Sequence, residues 1–90
     1  MQQPPPYCAY VLRSQRDGLL YIGYTTNLTQ RLNQHNKGEN TSTAPRRPLN
    51  LIYCEFYLPA EDAQRREQCF KTTAGKRALK LMLRNEFQRR

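Results

Sequence analysis

The sequence predicts a small α/β domain: a three-stranded antiparallel sheet flanked by three helices, in the order ββαβαα. Three observations carry that expectation. Two β-rich runs, "YCAYVLR" and "LLYIGYT", are separated by "SQRDG", whose Asp17-Gly18 pair is a strong hairpin-turn signal. "LNLIYCEFYL" over 49–58 is the strongest strand pattern in the chain. Between and after these runs, apolar residues recur at helical spacing in three segments.

The elements follow in order. With a loop over Gln15 to Gly18, the hairpin pairs Tyr10 with Gly23 and Leu12 with Tyr21, which makes Tyr10 and Tyr21 diagonal neighbours on one face. A one-residue slip would separate the two phenols. Tyr24 points to the other side and reads as core. The first helix spans 27–38. Asn27 is its N-cap, Gln30 can complete a capping box, and Gly38 stops it. Leu28, Leu32 and His35 share its buried stripe, with Arg31 at the border. "ENTSTAPRRP" is a polar loop. On the third strand, Ile52, Cys54, Phe56 and Leu58 line one face; Leu51, Tyr53, Glu55 and Tyr57 line the other. Pro59 ends it. The second helix begins near Ala60, with Glu61 and Asp62 suited to its positive end. Ala63, Glu67 and Phe70 share its stripe, and Gly75 breaks it. The last helix, about 76–88, buries Leu79, Met82, Leu83 and Phe87.

Ninety residues make one domain, here 7–88, with 1–6 ("MQQPPP") as a stiff, disordered lead-in. The charge is lopsided: 15 Lys and Arg against 7 Asp and Glu, net +8. That excess points to nucleic acid as partner, with an anionic membrane surface as the weaker option. Three cysteines with no CxxC exclude a disulfide framework and read as small core residues in a reducing compartment. One histidine excludes multi-histidine zinc chemistry. No run approaches the length of a membrane helix, and the start is not a signal peptide. A cytoplasmic protein is the expectation.

Glu67 is the most informative residue. A carboxylate among apolar neighbours must be paired or bound to a metal. A salt bridge satisfies the first condition. One divalent ion such as Mg²⁺, completed by waters and a phosphate, satisfies the second. Arg31 offers a planar set of donors that can grip a phosphate, or it is a surface arginine. His35 is a core-edge histidine or a site residue. A phenol near pKa 10 is a poor base at neutral pH, but a neighbouring cation favours the phenolate. Lys76, Lys80 and Arg84 fall at i, i+4 and i+8, flanked by Arg77, as one basic stripe. Arg46 and Arg47 add a loop contact, and Lys71 joins the same DNA-binding surface.

These residues line up with a known family. "YIG", Tyr21-Ile22-Gly23, stands intact, while "CAY", Cys8-Ala9-Tyr10, keeps only the tyrosine of a first half-motif. Arg31 follows Tyr21 by ten residues, His35 lies one helical turn later, and Glu67 sits on a later helix. Over residues 7–86 the chain resembles the GIY-YIG nuclease family, in particular its small, single-domain bacterial members described as predicted endonucleases. The resemblance implies a phosphodiesterase that cuts DNA with one divalent ion, Mg²⁺ or Mn²⁺. It places Glu67 on the metal, Arg31 on the scissile phosphate, and Tyr10 and Tyr21 beside the water, one of them acting as or assisting the base. His35 would orient or polarise. Gly23 would keep bulk out of the space facing Tyr10, leaving room for a phosphate and its water. Asn85 matches a late supporting asparagine, at a spacing that differs from larger members. The chain carries no separate DNA-binding domain like those of larger relatives, so weak or structure-directed recognition of duplex, branched or single-stranded DNA is expected, in repair or recombination. A homodimer or a protein partner stays open. The alternatives are a non-catalytic nucleic-acid-binding module on the same scaffold and a basic interaction domain within a larger complex.

Overall fold

The computed structural model describes residues 5–88, so residues 1–4 of the expected lead-in lie outside the described residues. Three strands, β1 (Tyr7–Ser14), β2 (Leu20–Thr25) and β3 (Leu49–Tyr57), form an antiparallel sheet in the order β2-β1-β3. Four helices accompany it: α1 (Leu28–Asn36), α2 (Ala60–Phe70), α3 (Thr73–Met82) and the short α4 (Arg84–Phe87). A single 3-10 turn, Ala44–Arg46, precedes β3. The ββαβαα order holds, with the last helix divided in two.

β1 is central and buried on both sides. Cys8, Tyr10 and Leu12 face α1, joined by Leu49 and by Leu28 and Leu32 of that helix. Val11 faces the other way, where it meets Ile22 of β2, Phe70 of α2 and Leu79 of α3. The hairpin register is the expected one, Tyr10 opposite Gly23 and Leu12 opposite Tyr21. Its turn explains why. Gly18 takes a positive φ of 75°, Leu19 N–H donates to Asp17 Oδ1, and Ser14 Oγ accepts from both Arg16 and Asp17.

Several expectations change. On β3 strict alternation fails, because the pairing shifts between Val11 and Leu12. Leu51 pairs with Leu12 and Tyr53 with Val11, which leaves Ile52 as the extra residue of a bulge. Ile52 therefore packs with Tyr53 on the α2–α3 face, while Cys54 stays on the α1 face. The capping box at α1 is half formed. Asn27 Oδ1 accepts from Gln30 N–H, but the Asn27 N–H goes to Thr25 Oγ1, not to Gln30. Gly38, at φ 80°, ends α1 as expected.

Gly75 is not a breaker. α2 stops at Phe70, and Thr72 caps α3 by accepting from Gly75 N–H at 2.9 Å. A Cβ at Gly75 would fall 1.9 Å from the Cys69 carbonyl oxygen, so the glycine lets the two helices meet across a two-residue joint. The last helix breaks at Leu83 (φ −111°, ψ 32°). Leu83 packs on the α2–α3 core, and α4 turns back so that Phe87 lies under the Arg13 guanidinium, 4.7 Å from the ring centroid. Met82, expected in the core, is exposed. Tyr24 is half-buried and stacks on Tyr7. The cysteines split. Cys8 is buried, and burial pushes its thiol up to about 11; Cys54 is half-buried, and Cys69, expected in the core, is exposed.

Candidate active site

The α1 face of the sheet holds a cluster that hydrocarbon packing alone does not explain. Tyr10 from β1, Tyr21 from β2 and His35 from α1 bring three rings together. Their centroids lie 6.4 Å apart for Tyr10–Tyr21, 6.0 Å for Tyr10–His35 and 5.0 Å for Tyr21–His35. The hairpin register brings the phenols to one face, and the helical stripe of Leu28, Leu32 and His35 brings the imidazole onto them.

Tyr10 and His35 are fully buried, so their polar atoms need partners. Tyr10 Oη lies 3.0 Å from His35 Nε2, and His35 Nδ1 lies 2.8 Å from Thr43 Oγ1. The network assigns the tautomer. Thr43 Oγ1 donates to the Asn40 carbonyl, which leaves its lone pairs to accept from Nδ1–H. His35 is then neutral, and Nε2 accepts the Tyr10 hydroxyl proton. The electrostatics agree. Burial, reinforced by the nearby Arg31 charge, holds His35 below the usual imidazole value. Burial, with the Tyr21 phenol and the Glu67 carboxylate adding to it, pushes the Tyr10 phenol well above its usual value, and Arg31 opposes that only in part. Tyr10 is thus a neutral hydrogen-bond donor, not a group poised to ionise. Tyr21, by contrast, is half-buried.

Thr43 was missed in the sequence. It sits in a polar loop with no periodicity to mark it, yet it is fully buried and sets the histidine's orientation. Gly23 has a different reason from the one expected. A Cβ there would lie 2.4 Å from Tyr10 Cζ and Oη, so the gap in β2 is filled by the Tyr10 ring itself and not left for a phosphate.

Arg31 is half-buried on α1, and Glu67 on α2 keeps 17% of its side chain exposed. Both charges bear on the Tyr10 phenol, Arg31 favouring its ionised form and Glu67 opposing it. Glu67 is ion-paired with Lys71 at 3.2 Å, one turn on. Among the described residues no group of three or more His, Cys, Asp or Glu gathers, so a protein-built metal cage is not formed. A single, mostly covered carboxylate beside a half-exposed lysine still matches what Mg²⁺ or Mn²⁺ accepts when waters and a phosphate oxygen complete the shell. The donor set fits such an ion.

The outlying basic residues are spread over α3, α4 and the loop before β3. The break at Leu83 places Arg84 on α4, where its guanidinium donates to the Leu81 carbonyl. Arg77 is exposed, and Lys76 and Lys80 stay together on α3. Arg46 pairs with Asp17 at 3.5 Å, and Arg47 folds back to the Ala44 carbonyl over Gly38. Asn85 is exposed on α4, whose Glu86 carbonyl accepts from Arg13; nothing in that arrangement joins it to the tyrosines.

A buried phenol and imidazole hydrogen-bonded to each other, with a second, half-buried phenol against them, have the make-up of a functional site. The family comparison agrees: the model described as the GIY-YIG catalytic domain matches residues 6–80, and the chain belongs to that family. Similar chains include a UPF0213 protein of Streptococcus agalactiae serotype V, 43% identical over 67 residues, covering 73% of this chain and 75% of the relative. A UPF0213 protein of Pediococcus pentosaceus is 42% identical over 77 residues, covering 84% and 80%. One from Staphylococcus haemolyticus is 40% identical over 68 residues, covering 74% and 83%. No solved structure matches the chain significantly. No helix of the described residues is long and apolar enough to cross a membrane.

Proposed function

We propose that the chain is a divalent-metal-dependent endonuclease that hydrolyses DNA phosphodiester bonds. The observation that carries this reading is the convergence of Tyr10, Tyr21 and His35 with the charges of Arg31 and Glu67 felt at the same phenol. Tyr21, on the open side of the cluster, gives its own proton to solvent and, as the phenolate, takes the proton from the attacking water. Tyr10, donating to His35, keeps the imidazole and the Tyr21 ring in place. Arg31 clamps the scissile phosphate with its planar donors. Glu67 holds one Mg²⁺ or Mn²⁺, which when bound supplies Lewis-acid stabilisation of charge on the leaving oxygen. The substrate is duplex, branched or single-stranded DNA, in cytoplasmic repair or recombination, with recognition through the basic surface or a partner, a second copy included.

Nicking of supercoiled plasmid and cleavage of branched or single-stranded DNA, with Mg²⁺ or Mn²⁺, tests this. Glu67→Gln and Arg31→Ala should each lower the rate by about a hundredfold or more, the scale on which preorganised charge acts on a transition state. DNA binding should survive Glu67→Gln. Absence of metal-dependent cleavage on every substrate, or full activity in Glu67→Gln, removes the enzyme reading. The Glu67–Lys71 ion pair favours a second reading, a non-catalytic nucleic-acid-binding module in which the carboxylate is neutralised by its own helix. Binding without cleavage, unchanged in Lys71→Ala, would select it.

A further inference from the structure

A second cluster of cations lies in a cleft that shares no residue with the tyrosine site. Its walls are the hairpin segment Gly18–Leu20, the 3-10 turn through Arg46, and α3 through Lys76 and Lys80, with Phe87 at one end. It encloses about 250 Å³. Arg46 is fixed there by its backbone: its N–H donates to the Thr43 carbonyl at 2.9 Å, and its own carbonyl accepts from Ser14 Oγ at 2.6 Å. Its side chain is under-compensated. Nε and Nη2 are buried without a hydrogen-bond partner, the only such side-chain atoms among the described residues. Its ion-pair partner, Asp17, is more exposed and sits at a long 3.5 Å, through Oδ2, while Oδ1 accepts from Leu19 N–H. Lys76 and Lys80, one turn apart on α3, add two charges to the same cleft, and no carboxylate is among its lining residues.

We propose that this cleft binds one phosphate group of a nucleic-acid strand, away from the bond that is cut. A held guanidinium with one long ion pair and no hydrogen bond, two lysines and no acid in the walls suit a compact anion with several oxygens. The walls otherwise offer hydrocarbon from Leu19, Leu20 and Phe87, with little to recognise a base or sugar, so the grip is on the backbone. Arg77 and Arg84 line the neighbouring groove of α3 and continue the positive track past the cleft. The cleft thereby adds a backbone contact outside the tyrosine site. This inference rests on the nuclease reading for its choice of nucleic acid over free phosphate.

The test uses the Glu67→Gln protein without divalent ion, a short DNA duplex and fluorescence anisotropy across a salt series. Lys76→Gln with Lys80→Gln should lower the slope of log affinity against log salt by about 0.9, the share of one phosphate contact. Between about 50 and 200 mM salt the loss of affinity then becomes roughly threefold smaller than in the parent. Arg65→Gln, which removes an exposed arginine paired with Asp62 on α2, should leave the slope unchanged. Inorganic phosphate added to isotope-labelled protein should shift the Gly18–Leu20 amides in the parent and not in the double variant. An unchanged slope with unmoved amides overturns the cleft, and leaves the nuclease reading intact if wild type still nicks plasmid. Phosphate shifts at Gly18–Leu20 without any DNA binding overturn the assignment to nucleic acid, and the nuclease reading falls with it.

Discussion

The two faces of the sheet differ in what they bury. Beneath α2 and α3 the core is Val11, Ile22, Phe70 and Leu79, with one polar cluster at its edge where Glu55 accepts from Tyr53, Tyr57 and Arg66. Beneath α1 the core includes a phenol and an imidazole whose buried polar atoms are satisfied only by each other and by Thr43. Hydrocarbon packing is tolerant of small shifts, whereas a buried hydrogen-bond chain is costly when any link is missing. One face carries stability, and the other uses part of it to hold a tyrosine and a histidine neutral and fixed beside an arginine and a glutamate.

That contrast is open to attack from both sides. The largest effect is expected on the apolar face. Phe70→Ala removes a fully buried ring that packs edge-on to Tyr53 and lies under the Arg66 guanidinium. It should cost about 3–5 kcal/mol in denaturant unfolding, enough to unfold a domain of this size. On the α1 face, Gly23→Ala drives a methyl group into the Tyr10 ring and should cost about 1–3 kcal/mol. Its cleavage rate at a temperature where the protein is still folded should fall as well, because the displaced phenol loses His35. Unchanged stability would mean that Tyr10 has another place to go.

Thr43→Val keeps the shape but leaves His35 Nδ1 without an acceptor, at about 1–3 kcal/mol, while Thr43→Ser should recover most of that. A loss in Thr43→Ser with none in Thr43→Val would show that the methyl group matters and the hydroxyl does not. The smallest effect is the pH dependence of His35. Its folded pKa lies below the ordinary 6.5, so the folded protein binds fewer protons than the unfolded chain in that window. Its contribution is fully present above pH 6.5 and declines as pH falls toward the folded value. A melting-temperature series should show that decline in wild type. His35→Gln, whatever its absolute stability, should lack it.

The hairpin was legible because its signals are local: an Asp-Gly turn and a period of two place Tyr10 and Tyr21 on one face before any other element is considered. The stripe of α1 was equally local, and it delivered His35. The third strand was less legible. Ile52 has the hydrophobicity of a regular strand residue, and the bulge that turns it toward α2 comes from pairing with β1, which the segment does not encode alone. Gly75 shows the same limit. A glycine at a helix joint reads as a breaker, while its reason is the close approach of the Cys69 carbonyl.

Composition, charge and spacing were enough to set the fold class and the hairpin register, because each depends on contacts within a few residues. How differently the two phenols are buried was not available at that level. Tyr10 and Tyr21 are the same side chain on the same face, and they differ because Tyr10 lies in the middle strand under α1, sealed from water and committed to His35, while Tyr21 lies on the edge strand. Burial is a property of the assembled sheet, and so is the energy of placing a charge there.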